Sequence, residues 1–190
     1  MVNPTKNYTD KFIIDCGDSV SYRLEIRRII VPFDSSEFSA NALDYAVYFA
    51  NTIFKGNPKR QKIRIIILHV IQELPLTKSV LDKMTSLHKD EKTQSLGKCI
   101  TSVYQGIRNW IEGDIIEKIQ TYKHIEGIKI EYSILFGDPS NKIIEYVNNN
   151  MVDMIIIGSN GLHGLAKIKA LGSVSRKVSE SVQCPIVIIR

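Results

Sequence analysis

The sequence predicts a doubly wound α/β domain, in which a five-stranded parallel sheet carries helices on both faces. Short runs rich in Ile and Val alternate along the chain with longer segments whose apolar residues recur at helical spacing, and this alternation is typical of βαβ units. The runs are almost continuously apolar, as expected for strands that helices cover on both faces. The predicted strands are residues 28–33, 63–71, 129–135, 153–158 and 185–190.

Start and stop signals for helices lie between these strands. Ser35 or Ser36 can cap a first helix, for which Gly56 supplies the end. After the third strand, Asp138 is the predicted N-cap of a helix and Pro139 is its first residue. The last helix is predicted to begin at Ser173 as N-cap and to bury a stripe made of Val174, Val178 and Val182.

Two regions lie outside the simple alternation. Residues 76–126 have apolar residues at helical spacing and predict one long helix, or two with a break near Gly97. Residues 1–27 precede the first strand, and the alternating apolar residues from Val20 to Ile26 predict a strand of a β-hairpin. We therefore divide the chain into an N-terminal extension, 1–27, and a domain, 28–190. The extension either packs on the domain or serves as an arm for a partner.

Composition limits the classes of function. The chain has 190 residues, of which 44% are hydrophobic and 24% charged, enough for one globular domain. Its net charge of +5 is spread along the chain without a basic block, so nucleic acid is not an expected partner. The three cysteines have neither disulfide nor zinc spacing, and no apolar stretch approaches the length of a membrane span. We expect a cytoplasmic protein without a membrane partner.

A glycine-rich segment carries the main functional signal. Residues 158–175, GSNGLHGLAKIKALGSVS, follow an apolar strand and lead into the last predicted helix. Glycines let main-chain N–H groups approach a ligand, and the N-terminus of a helix adds unpaired donors and a positive dipole end. This pattern predicts an anionic ligand, such as a nucleotide. A Rossmann dinucleotide site would have its glycines after the first strand, which here ends in VPFDSS.

Six motifs together resemble the universal stress protein family. In chain order they are RIIVPFDSSEFSANAL, LHVI, FGDPSNKIIEYV, IIIGSNG, GSVSRKV and CPIVIIR. The resemblance covers residues 28–190 and implies the strand order 3-2-1-4-5. It further implies that the protein binds ATP or a related adenine nucleotide, alone or with Mg²⁺, and forms a homodimer through its last strand.

The nucleotide-binding members of the family have the signature Gly-x2-Gly-x9-Gly-Ser/Thr. In this chain Gly158 and Gly161 have the expected spacing, but ten residues separate Gly161 from Gly172 and Ser173. The loop is therefore one residue longer than the signature. Because loops tolerate insertions at small cost, the binding glycines can keep their places.

The resemblance also assigns roles at the carboxyl ends of strands one and four, where the strand order reverses. It implies that Asp34 contacts the ribose or the base, and that Val70 meets the adenine through its main chain. The alternative for Asp34 is a role in capping the first helix. The implied nucleotide-binding residues are Pro32, Asp34, Val70, Ile157, Gly158, Gly161, Gly172, Ser173, Val174 and Ser175.

Other polar residues leave further hypotheses open. His163 could act as a general base in phosphate hydrolysis, and Lys167 and Lys169 could neutralise phosphate charge or simply be solvated. His69 is predicted to be a buried, hydrogen-bonded core residue. The leading hypothesis is a nucleotide-binding regulatory module of the stress response. The alternatives are a slow ATPase and a nucleotide-free dimerisation module.

Overall fold

The computed structural model describes residues 26–56, 61–72, 91–160 and 171–190. The strands are β1 Arg28–Pro32, β2 Ile63–Ile71, β3 Ile128–Phe136, β4 Met154–Gly158 and β5 Ile186–Ile189. The helices are α1 Glu37–Gly56, α2 Glu91–Thr121, α3 Pro139–Asn149 and α4 Ser173–Ser181. Of the predicted N-terminal extension with its hairpin, residues 1–27, only residues 26 and 27 are among the described residues, and neither belongs to a strand.

All strand pairs are parallel, and the sheet has the order β3-β2-β1-β4-β5. The predicted fold class and strand order are thus confirmed. Chain order runs outward from β1 to β3 and then returns to the other side of β1 at β4. At the carboxyl ends of β1 and β4, the connections that follow these two strands leave in opposite directions. A crevice therefore opens outside the strand ends.

The core consists of two apolar layers, one on each face of the sheet. Successive side chains of a strand point to opposite faces, so Ile29 and Val31 pack in one layer and Ile30 packs in the other. The first layer includes residues of α1 and α2, and the second includes residues of α3 and α4. The helices therefore cover both faces, as the apolar strands predict.

Helix α1 begins as the sequence predicts, with Ser36 as the capping residue. The Ser39 main-chain N–H donates to Ser36 Oγ over 3.2 Å, which satisfies one of the first-turn amides of the helix. Ser35 lies one residue earlier, in the left-handed region with φ of 62°. The helix ends at Gly56, in agreement with the prediction.

Helix α3 also begins as predicted, whereas the N-cap of α4 lies one residue before the predicted one. Asp138 is the N-cap of α3, and its side chain accepts a hydrogen bond from the amide of Asn141. The N-cap of α4 is Gly172, so Ser173 is the first helical residue and the prediction of Ser173 as N-cap is wrong. The reason is that the Gly172 carbonyl already accepts from Arg176 N, at 3.0 Å, as the first helical bond.

Helix α2 passes through Gly97 without a break. A glycine in a helix interior costs about 1 kcal/mol, and farther along the helix Ile111 and Ile115 are buried in the core. That packing holds the helix against the sheet. The part of the predicted region before residue 91 lies outside the described residues.

Candidate ligand-binding site

A pocket of about 570 Å³ opens at the carboxyl ends of β1, β2 and β4. This volume lies within the range of about 300–1,000 Å³ that is typical of small-molecule sites. Nine of the predicted site residues line the pocket, namely Pro32, Asp34, Val70, Ile157, Gly158, Gly172, Ser173, Val174 and Ser175. The tenth, Gly161, lies outside the described residues, together with His163, Lys167 and Lys169.

The pocket exists because neighbouring strands end at different heights. β1 pairs with β2 only as far as Pro32, which lies opposite Leu68. β2 continues for three more residues and remains paired with β3 until Ile71 lies opposite Phe136. The last residues of β2 therefore extend beyond the end of β1.

The main chain of Val70 faces the space that β1 leaves open. Leu68 O accepts from Phe33 N at 2.9 Å, and Ile71 O accepts from Gly137 N at 3.0 Å. Even-numbered residues of β2 thus direct their main-chain groups toward β1, and odd-numbered residues direct theirs toward β3. Val70 is the even-numbered residue after Leu68, and β1 has no residue in register with it. Its N–H and C=O point together into the pocket.

Asp34 follows β1 and belongs both to the pocket and to the cap of α1. Its Oδ1 accepts from the Ser36 main-chain N–H at 3.1 Å and from Ser36 Oγ at 2.6 Å. Its own N–H donates to Ser39 Oγ at 3.3 Å. The capping role and a place in the pocket therefore coexist, since these bonds fix the carboxylate at the pocket wall.

The N-terminus of α4 forms another wall. The Gly172 N–H donates to Ser159 O at 2.8 Å, and the Ser175 hydroxyl donates to the same oxygen at 2.9 Å. No side-chain hydrogen bond caps this helix. The first-turn amides, those of Ser173, Val174 and Ser175, are consequently the donors that the helix presents to the pocket.

Gly158, at the end of β4, is a glycine for a packing reason. A Cβ atom there would lie 2.7 Å from the carbonyl carbon of Phe38 on α1. The missing side chain lets α1 approach β4 closely. The glycine signature of the sequence thus includes a position where packing against α1 requires the absence of a side chain.

Several lining residues were not predicted from the sequence. They are Phe33, Ser39, Leu68, His69, Gln72, Asp138, Pro139, Ser140, Ile143 and Asn160. Asp138 and Pro139 carried a visible signal, because they follow a predicted strand and must lie at its carboxyl end. Asp138 Oδ1 is 3.9 Å from Lys177 Nζ, so this ion pair links α3 to α4 beside the pocket.

His69 differs from its prediction as a satisfied core residue. It is half-buried on the pocket wall, and within the described part of the chain its Nδ1 is buried without a hydrogen-bond partner. Burial lowers the pKa of His69, because it disfavours the imidazolium ion. The Phe33 main chain and the carboxylates of Asp34 and Asp114 oppose this shift of the pKa.

The strand order and the pocket together define a class, the doubly wound α/β proteins with a ligand crevice where the strand order reverses. The sequence profile of the universal stress protein family matches residues 25–190. The chain belongs to the universal stress protein family. Universal stress protein YxiE of Bacillus subtilis (strain 168) is 31% identical over 166 residues, which are 86% of this chain and 98% of that relative.

Solved structures have the same fold. Universal stress protein UspA from Lactobacillus plantarum has a TM-score of 0.56 at 19% identity, over 87% of this chain and 98% of that one. A universal stress protein crystallised in complex with cAMP has a TM-score of 0.50 at 18% identity, over 86% of this chain and 96% of that one. At these identities the likeness shows the fold alone. Within the described residues, no helix has the length and apolar character needed to cross a membrane.

Proposed function

We propose that this protein binds an adenine nucleotide in the pocket and acts as a cytoplasmic regulatory module of the stress response. The observation that carries the proposal is the main chain of Val70, whose N–H and C=O both face the pocket beyond the end of β1. A donor and an acceptor that lie side by side in this way can form two hydrogen bonds with the edge of a planar base.

Adenine fits this pair better than guanine does. Adenine has an acceptor, N1, beside a donor, its N6 amino group, and these complement the Val70 N–H and C=O. Guanine has a donor at N1 beside an acceptor at O6, so it would set donor against donor and acceptor against acceptor. A buried polar group left unpaired costs about 1–3 kcal/mol, which predicts at least tenfold selectivity for adenine.

In this proposal the phosphates of the nucleotide bind at the N-terminus of α4. The amides of Ser173, Val174 and Ser175 offer donors there, and the positive end of the helix dipole favours an anion. Lys177, on the same helix, is paired with Asp138 beside the pocket. Mg²⁺ is assigned only as an ion accompanying the phosphates, since the described residues hold no group of three or more His, Cys, Asp or Glu suited to a metal.

Two further lines support an adenine ligand. The motifs of the sequence resemble the nucleotide-binding members of the family, and a protein of the same fold was crystallised with cAMP. We expect the extra loop residue to leave binding intact, because the described residues at both ends of the segment line the pocket. Gly158 and Gly172 both line this pocket.

We propose that the protein binds the nucleotide and does not hydrolyse it in repeated turnovers. Asp34 is held by the capping bonds of Ser36, which suits a ligand contact better than a mobile general base. Multiple-turnover release of phosphate from ATP should be absent or slower than the exchange of bound nucleotide. Rapid release that is abolished by His163→Ala would replace this proposal with the ATPase hypothesis.

The binding proposal is tested by calorimetric titration with ATP, ADP, AMP, cAMP and GTP. Val70→Pro removes the N–H that faces the pocket without removing a β3 ladder bond, whereas Val70→Ala keeps both main-chain groups. We expect the alanine variant to bind ATP and the proline variant to lose at least tenfold in affinity. Equal affinity of both variants, or preference for GTP, would contradict the proposal.

We also propose a homodimer that forms through β5. Within the described residues β5 pairs only with β4, and its four apolar residues, Ile186–Ile189, are half-buried. Pro185 O accepts from Ile155 N of β4, and Ile189 O accepts from Ser159 N just after β4, so the main-chain groups of Ile188 point to the open edge. An apolar edge of this kind pairs readily with a second strand.

Light scattering tests the dimer with a matched pair of variants. Ile188→Pro removes the outward N–H, whereas Ile188→Ala keeps it and shortens the same side chain. The proposal predicts a dimer for the wild-type and alanine proteins and a monomer for the proline variant. A wild-type monomer at micromolar concentration would rule out the β5 dimer.

A further inference from the structure

The loop between β1 and α1, residues 33–36, is held from a distant part of the chain. Ser35 Oγ donates to Asp114 Oδ2, on α2, over 2.5 Å. The two residues are 79 positions apart. The contact therefore ties the loop that carries Asp34 to a helix that supplies none of the described pocket lining.

Ser35 needs such support. Its φ of 62° makes it the only non-glycine residue with positive φ in the described part of the chain, and this region costs an L-residue about 1–2 kcal/mol. The conformation reverses the chain between Asp34 and Ser36. It thereby allows Asp34 Oδ1 to accept from the Ser36 amide, two residues ahead. A contact that fixes Ser35 consequently fixes the Asp34 carboxylate.

The electrostatics of His69 give a second indication that Asp114 belongs to this site. The carboxylates of Asp34 and Asp114 both favour the charged form of the His69 ring, which lines the pocket. Asp34 and Asp114 thus both lie within electrostatic range of one imidazole. Helix α2 therefore influences the pocket through Asp114 without lining it.

We propose that Asp114 is a positioning residue for ligand binding, which holds Asp34 in place through Ser35. This inference rests on the proposed nucleotide site. In this proposal Asp114 does not contact the ligand itself. It should influence ligand affinity only by fixing the position of Asp34. Because the bond is exposed to solvent, we expect Asp114→Ala to weaken ATP and adenosine binding equally, by about threefold to tenfold.

The chain offers matched variants for the test. Ser35→Gly removes the same hydroxyl contact and relieves the strain at positive φ, whereas Ser35→Ala removes the contact and keeps the strain. Tyr132→Phe serves as the control, because it removes a hydroxyl–carboxylate contact between Glu112 of α2 and β3. Neither Tyr132 nor Glu112 lines the pocket.

Hydrogen exchange of the Asp34 and Ser36 amides, combined with calorimetry, decides the proposal. We expect Asp114→Ala to speed exchange at both amides, to weaken nucleotide binding, and to add no loss in an Asp34→Ala background. Tyr132→Phe should change neither quantity. Unchanged exchange, or a full additional loss in the Asp34→Ala background, would overturn the proposal.

The same experiment separates this inference from the proposed function. If the wild-type protein binds none of the nucleotides, the proposed function fails, and with it the role of Asp114 in binding. The exchange rates of the ligand-free variants would still report whether Asp114 holds the loop. If the wild type binds and only the exchange is unchanged, the positioning role alone fails.

Discussion

The Ser175 hydroxyl donates a hydrogen bond to the carbonyl oxygen of Ser159 over 2.9 Å. The amide of Gly172 donates to the same oxygen at 2.8 Å. One carbonyl therefore joins the two ends of the glycine-rich segment, the end of β4 and the start of α4. The geometry of both ends is set by these bonds rather than by the number of residues between them.

Removing one loop residue should consequently change the free energy of unfolding and the ATP affinity only slightly. Deletion of Ala166 restores nine residues between Gly161 and Gly172, and closure entropy changes by only a small fraction of 1 kcal/mol for one residue. We expect the free energy of unfolding to shift by less than about 0.5 kcal/mol and ATP affinity to stay within about twofold. Denaturant titration and calorimetry measure the two quantities. A tenfold gain in affinity would mean that the extra residue obstructs the phosphates.

Gly158→Ala should destabilise the fold. The new Cβ would lie 2.7 Å from the Phe38 carbonyl carbon, and relief of such overpacking costs about 1–3 kcal/mol. Gly106→Ala, on α2, is the matched control, because an added Cβ meets no atom within 4 Å there. That control should gain about 0.5–1 kcal/mol from helix propensity. Equal unfolding midpoints in urea for both variants would contradict the packing role of Gly158.

Ser173→Ala should separate phosphate binding from stability. The Ser173 side chain is exposed and does not cap α4, so its loss should change the free energy of unfolding by less than about 0.5 kcal/mol. If its hydroxyl contacts a phosphate, ATP affinity should fall by about threefold to tenfold while adenosine affinity is retained. Parallel titrations with the two ligands check this. A loss of equal size for adenosine would place Ser173 at the nucleoside instead.

His69 should make the fold less stable in mild acid. Its pKa lies below the ordinary 6.5 because of burial, so the unfolded chain takes up its proton more readily than the folded one. The stabilisation is fully present above about pH 6.5 and is lost as the pH falls below that value toward the folded-state pKa. His69→Gln should flatten the fall in the free energy of unfolding between pH 7 and pH 5.5.

Chemical denaturation across that pH range measures the His69 effect. His124→Gln, at an exposed histidine, controls for the loss of an imidazole. The interpretation fails if the slope for His69→Gln equals that of the wild type. Glu131 acts at lower pH, because Lys129 lowers its pKa below the ordinary 4.5, so it does not obscure the comparison.

Local signals predicted much of the fold. Runs of Ile and Val located the strands, and Asp138 with Pro139 located the start of α3, because capping depends on neighbouring residues. The glycine segment and the strand ends located most of the pocket. The contact between Ser35 and Asp114 gave no local signal, since it depends on where α2 crosses the end of the sheet.

Two site features could not be derived from local sequence signals, although the family resemblance implied one of them, the main-chain contact of Val70. That the Val70 main chain faces the pocket depends on the difference in length between β1 and β2, which only the register reveals. That the N-cap of α4 is Gly172 depends on the bond from its amide to Ser159 O, thirteen residues earlier in the chain. Both are set by tertiary contacts rather than by residue type.

The central claim is that the Val70 main chain reads an adenine base, and the Val70 amide resonance tests it most directly. In a protein labelled with ¹⁵N-valine, AMP and ATP should shift that amide saturably, whereas GMP at the same concentration should leave it in place. A Val70 amide that does not move at saturating AMP, or that moves equally with GMP, would contradict the account.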